Sequence, residues 1–267
     1  MNTASSFFVC ALAHMVIFLS TAVSAPVQQV ASADFPMLTR NSTVLFMGDS
    51  ITDGGRARSG NDYNHTMGQS YPFLISSQLN YQLAERNLTF LNRGISGNRV
   101  LDLKSRWQTD VLDLKPDVLS ILIGVNDTFS NRGERLEEFE STYDELLAQT
   151  LAAIPGIRII LGEPFLLPAG KFKDGYKESL AELKKRQDVV ARLAAKYHLP
   201  LIRYQQAFEE ACRRAPADHW CWDGIHPHYA GHALMAREWL ETLAHLTVAN
   251  SPESKSRLRP ADRLENN

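Results

Sequence analysis

This sequence lacks an excess of charge of either sign: 28 Lys and Arg stand against 30 Asp and Glu, a formal net charge of -2. There is no global electrostatic pull toward nucleic acid or an anionic membrane, so neutral partners are expected. It also lacks an apolar run long enough to cross a bilayer; the longest, Phe7 to Leu19, is interrupted by His14. Stable membrane insertion is not expected. Cysteine is scarce, with three in 267 residues, and no cysteine or carboxylate cluster joins His226, His228 and His232 into a ligand set. Because His226-Pro227-His228 sends alternate residues apart, no metal is expected, and nothing in the chain calls for an organic cofactor.

The apolar run that is present has the length of a signal-peptide core and is followed by small residues. Cleavage after Ala33 is favoured over cleavage after Ala25, which would leave Pro26 first. Residues 1–33 are therefore expected as a leader and the protein as secreted or periplasmic, although no Lys or Arg precedes the run. Residues 250–267 are polar, charged and almost without apolar side chains, which predicts a disordered tail. Between these ends, residues 34–249 suffice for one α/β domain with a sizeable core and are short for two. Loss of the leader would take Cys10 with it. Cys212 and Cys221 then remain as an even pair, expected as a disulfide in an exported protein, with two inert buried thiols as the alternative.

Within the domain, apolar stretches and helical periodicities alternate. Strands are expected at Val44–Met47, Thr89–Asn92, Val118–Ile123, Arg158–Leu161 and Leu201–Tyr204, the third a near-continuous apolar run that suits burial on both faces. Helices are expected at Tyr71–Arg86, Leu101–Leu114, Glu137–Ala153, Glu178–Lys196 and Tyr229–Leu246, with a short one past Gln206. The stretch Asp53 to Gln69, rich in Gly, Arg, Asn, Asp and His, is expected as a long surface loop. This alternation predicts a five-stranded parallel sheet with helices on both faces, a three-layer α/β/α sandwich.

Two stretches carry chemistry. Gly48 breaks the first strand and turns the backbone toward a helix, leaving Ser50 at the strand's carboxyl end, where open α/β sheets bind ligands. In Trp222-Asp223-Gly224-Ile225-His226-Pro227, an Asp three residues before a His can accept the imidazole Nδ1–H and leave Nε2 free as a base. A serine hydroxyl is a poor nucleophile until such a base takes its proton. Asn126 in Gly124-Val125-Asn126-Asp127 also emerges at a strand's carboxyl end, where its amide N–H₂ can face a developing oxyanion. Asn92-Arg93-Gly94-Ile95-Ser96-Gly97-Asn98 carries two glycines that permit close backbone approach to a bound group.

Gly48-Asp49-Ser50, Gly97, Gly124-Val125-Asn126-Asp127 and Asp223-Gly224-Ile225-His226 follow the order and approximate spacing of the four signature blocks of the SGNH/GDSL hydrolases. From about Val44 to Leu246 the chain resembles that family. The resemblance implies a flavodoxin-like sheet order and a serine hydrolase. Ser50 would be the nucleophile, His226 the general base and Asp223 its orienting carboxylate. The Ser50 and Gly97 N–H groups and the Asn126 amide would form the oxyanion hole. The chain looks most like the bacterial acetylxylan esterases, through Gly48 to Arg56, Asn92 to Asn98 and Trp222 to Pro227. It departs from their intracellular pattern by its leader, cysteine pair and tail. The implied activity is removal of acetyl groups from small-molecule or oligosaccharide esters. Asp49, Arg56 and Trp222 are the expected substrate-binding residues, with Asn98 and Arg99 beside them. A lysophospholipase or thioesterase walled by Phe129, Phe165 and Trp222 is the rival, and a non-catalytic glycan-binding module the remoter one. Assembly of the chain with copies of itself is left open.

Overall fold

The computed structural model describes residues 35–60, 62–130 and 135–246. The expected leader at 1–33 and tail at 250–267 lie outside the described residues. Five strands, β1 (Thr43–Gly48), β2 (Thr89–Asn92), β3 (Val118–Leu122), β4 (Arg158–Gly162) and β5 (Leu201–Ile202), form one parallel sheet in the order β2-β1-β3-β4-β5. This is the doubly wound order in which the chain reverses direction across the sheet between β1 and β3, so ligands are expected beyond the carboxyl ends of those two strands.

Side chains alternate along β1 between two apolar layers. Val44 and Phe46 enter one core with Tyr71, Ile75, Leu79 and Trp239, whereas Leu45 and Met47 enter the other with Trp107, Tyr143, Leu147 and Val190. The first layer is covered by α3 (Tyr71–Gln82), α8 (Tyr204–Ala211) and α10 (Tyr229–His245), the second by α4 (Val100–Trp107), α6 (Leu136–Ala153) and α7 (Tyr176–Tyr197). Both indoles keep their N–H satisfied: Trp239 donates to Ser120 Oγ at 3.0 Å and Trp107 to Thr150 Oγ1 at 2.9 Å. Burying such a side chain stabilises the fold by roughly 1.5–3 kcal/mol.

Several expected boundaries move. The long loop after Ser50 contains a short helix, α2 (Tyr63–Met67), capped by Asp62, which accepts the Asn64 and His65 N–H groups. On α3 the buried stripe is Tyr71, Ile75 and Leu79, a strict i, i+4, i+8 row, while Phe73 and Leu74 are half-buried. The helix expected through Leu114 winds α-helically only to Trp107 and then loosens into a π turn over Gln108–Leu112. β5 ends at Ile202, because Tyr204 already begins α8 and packs its ring against Phe165.

The expected disulfide is corrected: Cys212 and Cys221 are free thiols. Cys221 is fully buried in the apolar layer beneath α10, and burial pushes its thiol up to about 12; burial raises Cys212 as well. Cys221 is the buried thiol of the alternative reading and stays protonated in neutral solution, whereas Cys212 is half-buried.

Candidate active site

β1 ends in Gly48, where a side chain has no room: a Cβ would stand 2.3 Å from Thr52 Oγ1 and 2.5 Å from the Leu122 carbonyl. The chain then turns at once into the single-turn helix α1 (Ser50–Asp53). Asp49 caps it, Oδ1 accepting the Ile51 N–H at 3.0 Å. Ser50 is thereby lifted to the helix start at the carboxyl edge of the sheet, half-buried beneath the loops that follow β2 and α9 (Ala217–Trp220).

Ser50 Oγ lies 2.8 Å from His226 Nε2, and His226 Nδ1 lies 2.7 Å from Asp223 Oδ2. The turn that makes this contact is built from its own residues. Asp223 Oδ1 accepts the N–H groups of Ile225 at 2.9 Å and His226 at 2.7 Å, while Oδ2 takes the imidazole. Cys221 pairs with Pro227 across the turn, Trp222 N–H reaches the His226 carbonyl and His228 N–H the Trp220 carbonyl. Burial alone would raise the Asp223 carboxyl, but these donors outweigh it and hold it below the ordinary carboxylate range. It is therefore ionised at neutral pH and fixes Nδ1 as the donor, which leaves Nε2 facing the serine as acceptor.

The groups expected as oxyanion donors are the N–H of Ser50, the N–H of Gly97 and the side-chain amide of Asn126. Gly97 has φ +81°, a conformation that L side chains rarely adopt, and no other group lies within 4 Å of where its Cβ would be. Among the described residues, neither its N–H nor that of Ser50 has a protein acceptor. Asn126, near the start of α5 (Val125–Phe129), spends one amide hydrogen on the Asn98 carbonyl at 3.0 Å and keeps the other. Ser50, the Gly97 loop and Asn126 thus follow the carboxyl ends of β1, β2 and β3 in turn.

The expected substrate contacts fare differently. Trp222 is 56% exposed and stacks on the His226 ring, centroids 5.7 Å apart and planes 19° from parallel, so one of its faces lies beside the site. Asp49 is corrected: it is 1% exposed, serves as the α1 cap, and Oδ2 has no partner among the described residues. Burial drives its carboxyl up to about 7. Arg56 is corrected as well, since it is buried and its Nε donates to the Gly94 carbonyl at 2.9 Å; burial lowers it to about 10. The Asn98 side-chain oxygen accepts from Arg106 Nε at 3.0 Å, and Arg99 closes a capping box on Asp102. All four hold the fold around the site rather than reach out of it. Phe165 is fully buried between Tyr204 and Phe208 and so is not free to wall an acyl groove, whereas Phe129 is half-buried and packs on Phe172 at 5.0 Å.

Sequence reasoning passed over Asp53, Arg58 and Ser96. Arg58 clasps Asp53 bidentately at 2.7 and 3.0 Å, and Ser96 gives Asp53 both its N–H and its hydroxyl. The available signal was Arg58 five residues after an acid that itself sits one helical turn from the nucleophile. Among the described residues, no group of three or more His, Cys, Asp or Glu is arranged to hold a metal ion.

The GDSL-like lipase/acylhydrolase family matches this chain over residues 46–234. An acetylxylan esterase of Geobacillus stearothermophilus is 34% identical over 209 residues, which cover 75% of this chain and 93% of that protein. The crystal structure of Axe2, an acetylxylan esterase from Geobacillus stearothermophilus, superposes with a TM-score of 0.69 at 32% identity, over 78% of this chain and 96% of that one. A putative GDSL-like lipase from Parabacteroides merdae ATCC 43184 superposes with a TM-score of 0.73 at 35% identity, covering 77% and 97%. An uncharacterized lipoprotein of Bacillus subtilis is 42% identical over 85 residues, 32% of this chain and 31% of that protein.

Proposed function

The chain belongs to the GDSL-like lipase/acylhydrolase family and is a carboxylic ester hydrolase, and from that premise we propose that it removes acetyl groups from acetylated carbohydrates such as xylan or xylo-oligosaccharides, outside the cytoplasm. The observation that carries the mechanism is the unbroken line of contacts from Ser50 Oγ through His226 to Asp223, at 2.8 and 2.7 Å. Ser50 attacks the ester carbonyl as Nε2 of His226 takes its proton. Asp223 does not itself become protonated; it holds the tautomer and stabilises the imidazolium. The oxyanion of the tetrahedral intermediate is met by the N–H groups of Ser50 and Gly97 and the free Asn126 amide hydrogen. Removal of one such preorganised donor costs roughly 2.7–4 kcal/mol in other hydrolases. The intermediate then collapses, the bond to the sugar oxygen breaking as His226 protonates that oxygen, and the acetyl group is left on Ser50. Water, deprotonated by the same imidazole, releases acetate and restores Ser50.

The acetyl preference rests on the likeness to a protein known as an acetylxylan esterase over nearly its whole length, and on Trp222. Its exposed indole beside His226 offers an apolar face for a pyranose on the leaving-group side. The lipase-like reading loses one of its three groove walls, because Phe165 is fully buried. Among the described residues no helix is long and apolar enough to cross a membrane. In a closed acyl pocket each methylene that does not fit costs of order 1–3 kcal/mol, so acetyl should be favoured over butyryl by about 10-fold or more. The test compares kcat/KM on acetylated xylo-oligosaccharides, acetyl and octanoyl p-nitrophenyl esters and a lysophospholipid. Fastest turnover of the octanoyl ester or the lysophospholipid would replace this substrate assignment with the lipase-like one.

A further inference from the structure

We infer that Asp53 is a positioning residue for the oxyanion hole: its carboxylate locks the Gly97 loop onto the same helical turn that carries Ser50. The inference rests on the esterase reading above and adds to it what aims the backbone donor. Asp53 closes α1, three residues after Ser50, and its side chain is 2% exposed. Oδ2 accepts the Ser96 N–H at 2.9 Å, the Ser96 hydroxyl at 2.7 Å and Arg58 Nη2 at 2.7 Å; Oδ1 accepts Arg58 Nη1 at 3.0 Å and the Arg56 N–H at 3.2 Å. Five donors converge on one buried carboxylate, two of them from the residue just before Gly97.

The peptide that carries the Gly97 N–H is thus fixed from both sides. Ser96 is held by Asp53, and the Asn98 carbonyl by Asn126. No group beyond its chain neighbours lies within 4 Å of where a Gly97 Cβ would stand, and the residue has the conformational freedom of glycine, so without the ties on Ser96 and Asn98 its N–H would sample other directions. An oxyanion donor is worth its full effect only when it needs no reorientation as charge develops. Asp53 also links the nucleophile to the donor through one turn of backbone, with its own N–H bonded to the Asp49 carbonyl at 2.8 Å. A carboxylate suits the place because every group facing it is a donor. Burial alone would raise this carboxyl, yet the Arg58 and Ser96 hydrogen bonds hold it below the ordinary range. An amide there would turn N–H₂ against other N–H groups and release part of the set.

The experiment measures kcat and KM on acetyl p-nitrophenyl ester, together with the affinity of a phenylboronic acid that forms a tetrahedral adduct on Ser50. Melting curves establish that each variant is folded. Asp53→Asn is expected to lower kcat by about 10-fold or more, with KM within about twofold, and to weaken boronate binding by the same factor as kcat/KM. Ser96→Ala keeps the Ser96 N–H bond and loses only the hydroxyl, so it should lower kcat by about three-fold at unchanged KM. A folded Asp53→Asn with parental kcat, or with raised KM and parental boronate affinity, overturns the inference. If Asp53→Asn does not fold, Ser96→Ala decides, and an unchanged kcat there overturns the inference. A parent protein that neither turns over the ester nor binds the boronate overturns the esterase reading itself, an outcome separate from the failure of Asp53 alone.

Discussion

Two loops complete the serine, and they are held in opposite ways. The 222–228 turn is held mostly from within: Asp223 bonds residues two and three positions on, and backbone contacts join Trp220 to His228, Cys221 to Pro227 and Trp222 to His226, with one distant tie, the Leu167 N–H on the Gly224 carbonyl at 2.9 Å. The 93–100 loop depends on partners elsewhere. The Gly94 carbonyl accepts Arg56 and Arg58, the Arg93 carbonyl accepts Arg106, Ile95 N–H reaches the Gly48 carbonyl, and Val100 N–H reaches Asp127 Oδ1. The His226 ring therefore rides chiefly on local turn chemistry, whereas the Gly97 loop rides on side chains 13 to 43 residues away, measured from Arg106 to Arg93 and from Asp53 to Ser96. A local turn survives loss of distant contacts, while the Gly97 loop should not.

The comparison is broken most completely at the base. His226→Ala should lower kcat/KM on acetyl p-nitrophenyl ester by about 10⁴-fold or more, because nucleophile and base act as one unit. Its melting temperature should stay close to the parent's, since the His226 side chain is 36% exposed and the turn is closed by backbone bonds. A large drop in melting temperature would mean that the imidazole holds the turn rather than merely using it.

Beneath both loops lies Asp49, whose folded-state carboxyl is raised to about 7 against an ordinary 3.8, mainly by burial. Its contribution to stability is thus complete below about pH 3.8 and is lost as pH rises through about 7. Asp49→Asn retains an oxygen for the Ile51 N–H and cannot ionise. From about pH 4 to about pH 8 the variant should gain on the parent by up to about 4 kcal/mol, read from urea unfolding at several pH values. A gap that stays constant across that range would show that Asp49 titrates normally.

Asn126→Ala removes the proposed side-chain oxyanion donor and, with it, a tie of the distant kind, the bond to the Asn98 carbonyl. We expect kcat to fall by about 10²–10³-fold with KM little changed. A raised KM at parental kcat would assign Asn126 to ground-state binding instead. The smallest effect belongs to the turn's exposed edge. Trp222→Ala should cost about 1 kcal/mol or less on acetyl p-nitrophenyl ester and more on acetylated xylo-oligosaccharides, where the indole face has a sugar to meet. Equal losses on both substrates would deny it that contact.

The difference between the loops also explains what the sequence revealed. The strand and helix alternation was legible because apolar periodicity is local, as was the Asp223 to His226 pairing, whose donors and acceptor lie within three residues. The sheet order came through resemblance, not through any feature of the strands. Asp49 and Arg56 were misjudged because polarity in a loop beside a nucleophile suggests exposure, whereas their neighbours in space bury them. Asp53 escaped notice for the complementary reason: nothing within its own stretch announces that Ser96 will come to it. Tyr204 illustrates the same limit in the fold, where packing against Phe165 and Tyr71 draws a residue expected in a strand into a helix.

All five strands run the same way, so everything that touches chemistry gathers at one rim of the sheet and the opposite rim is left without duties. There the turns before β3, β4 and β5 present exposed Lys115, Pro155, Gly156 and His198. These tips are natural handles: a linker, a fused module or a solid support fastened at 155–156 would meet the molecule from behind and leave its mouth turned outward toward solution. An attachment at 58–60 or 222 would instead press the enzyme face down. Orientation on a surface is in this way already written into the direction of the strands.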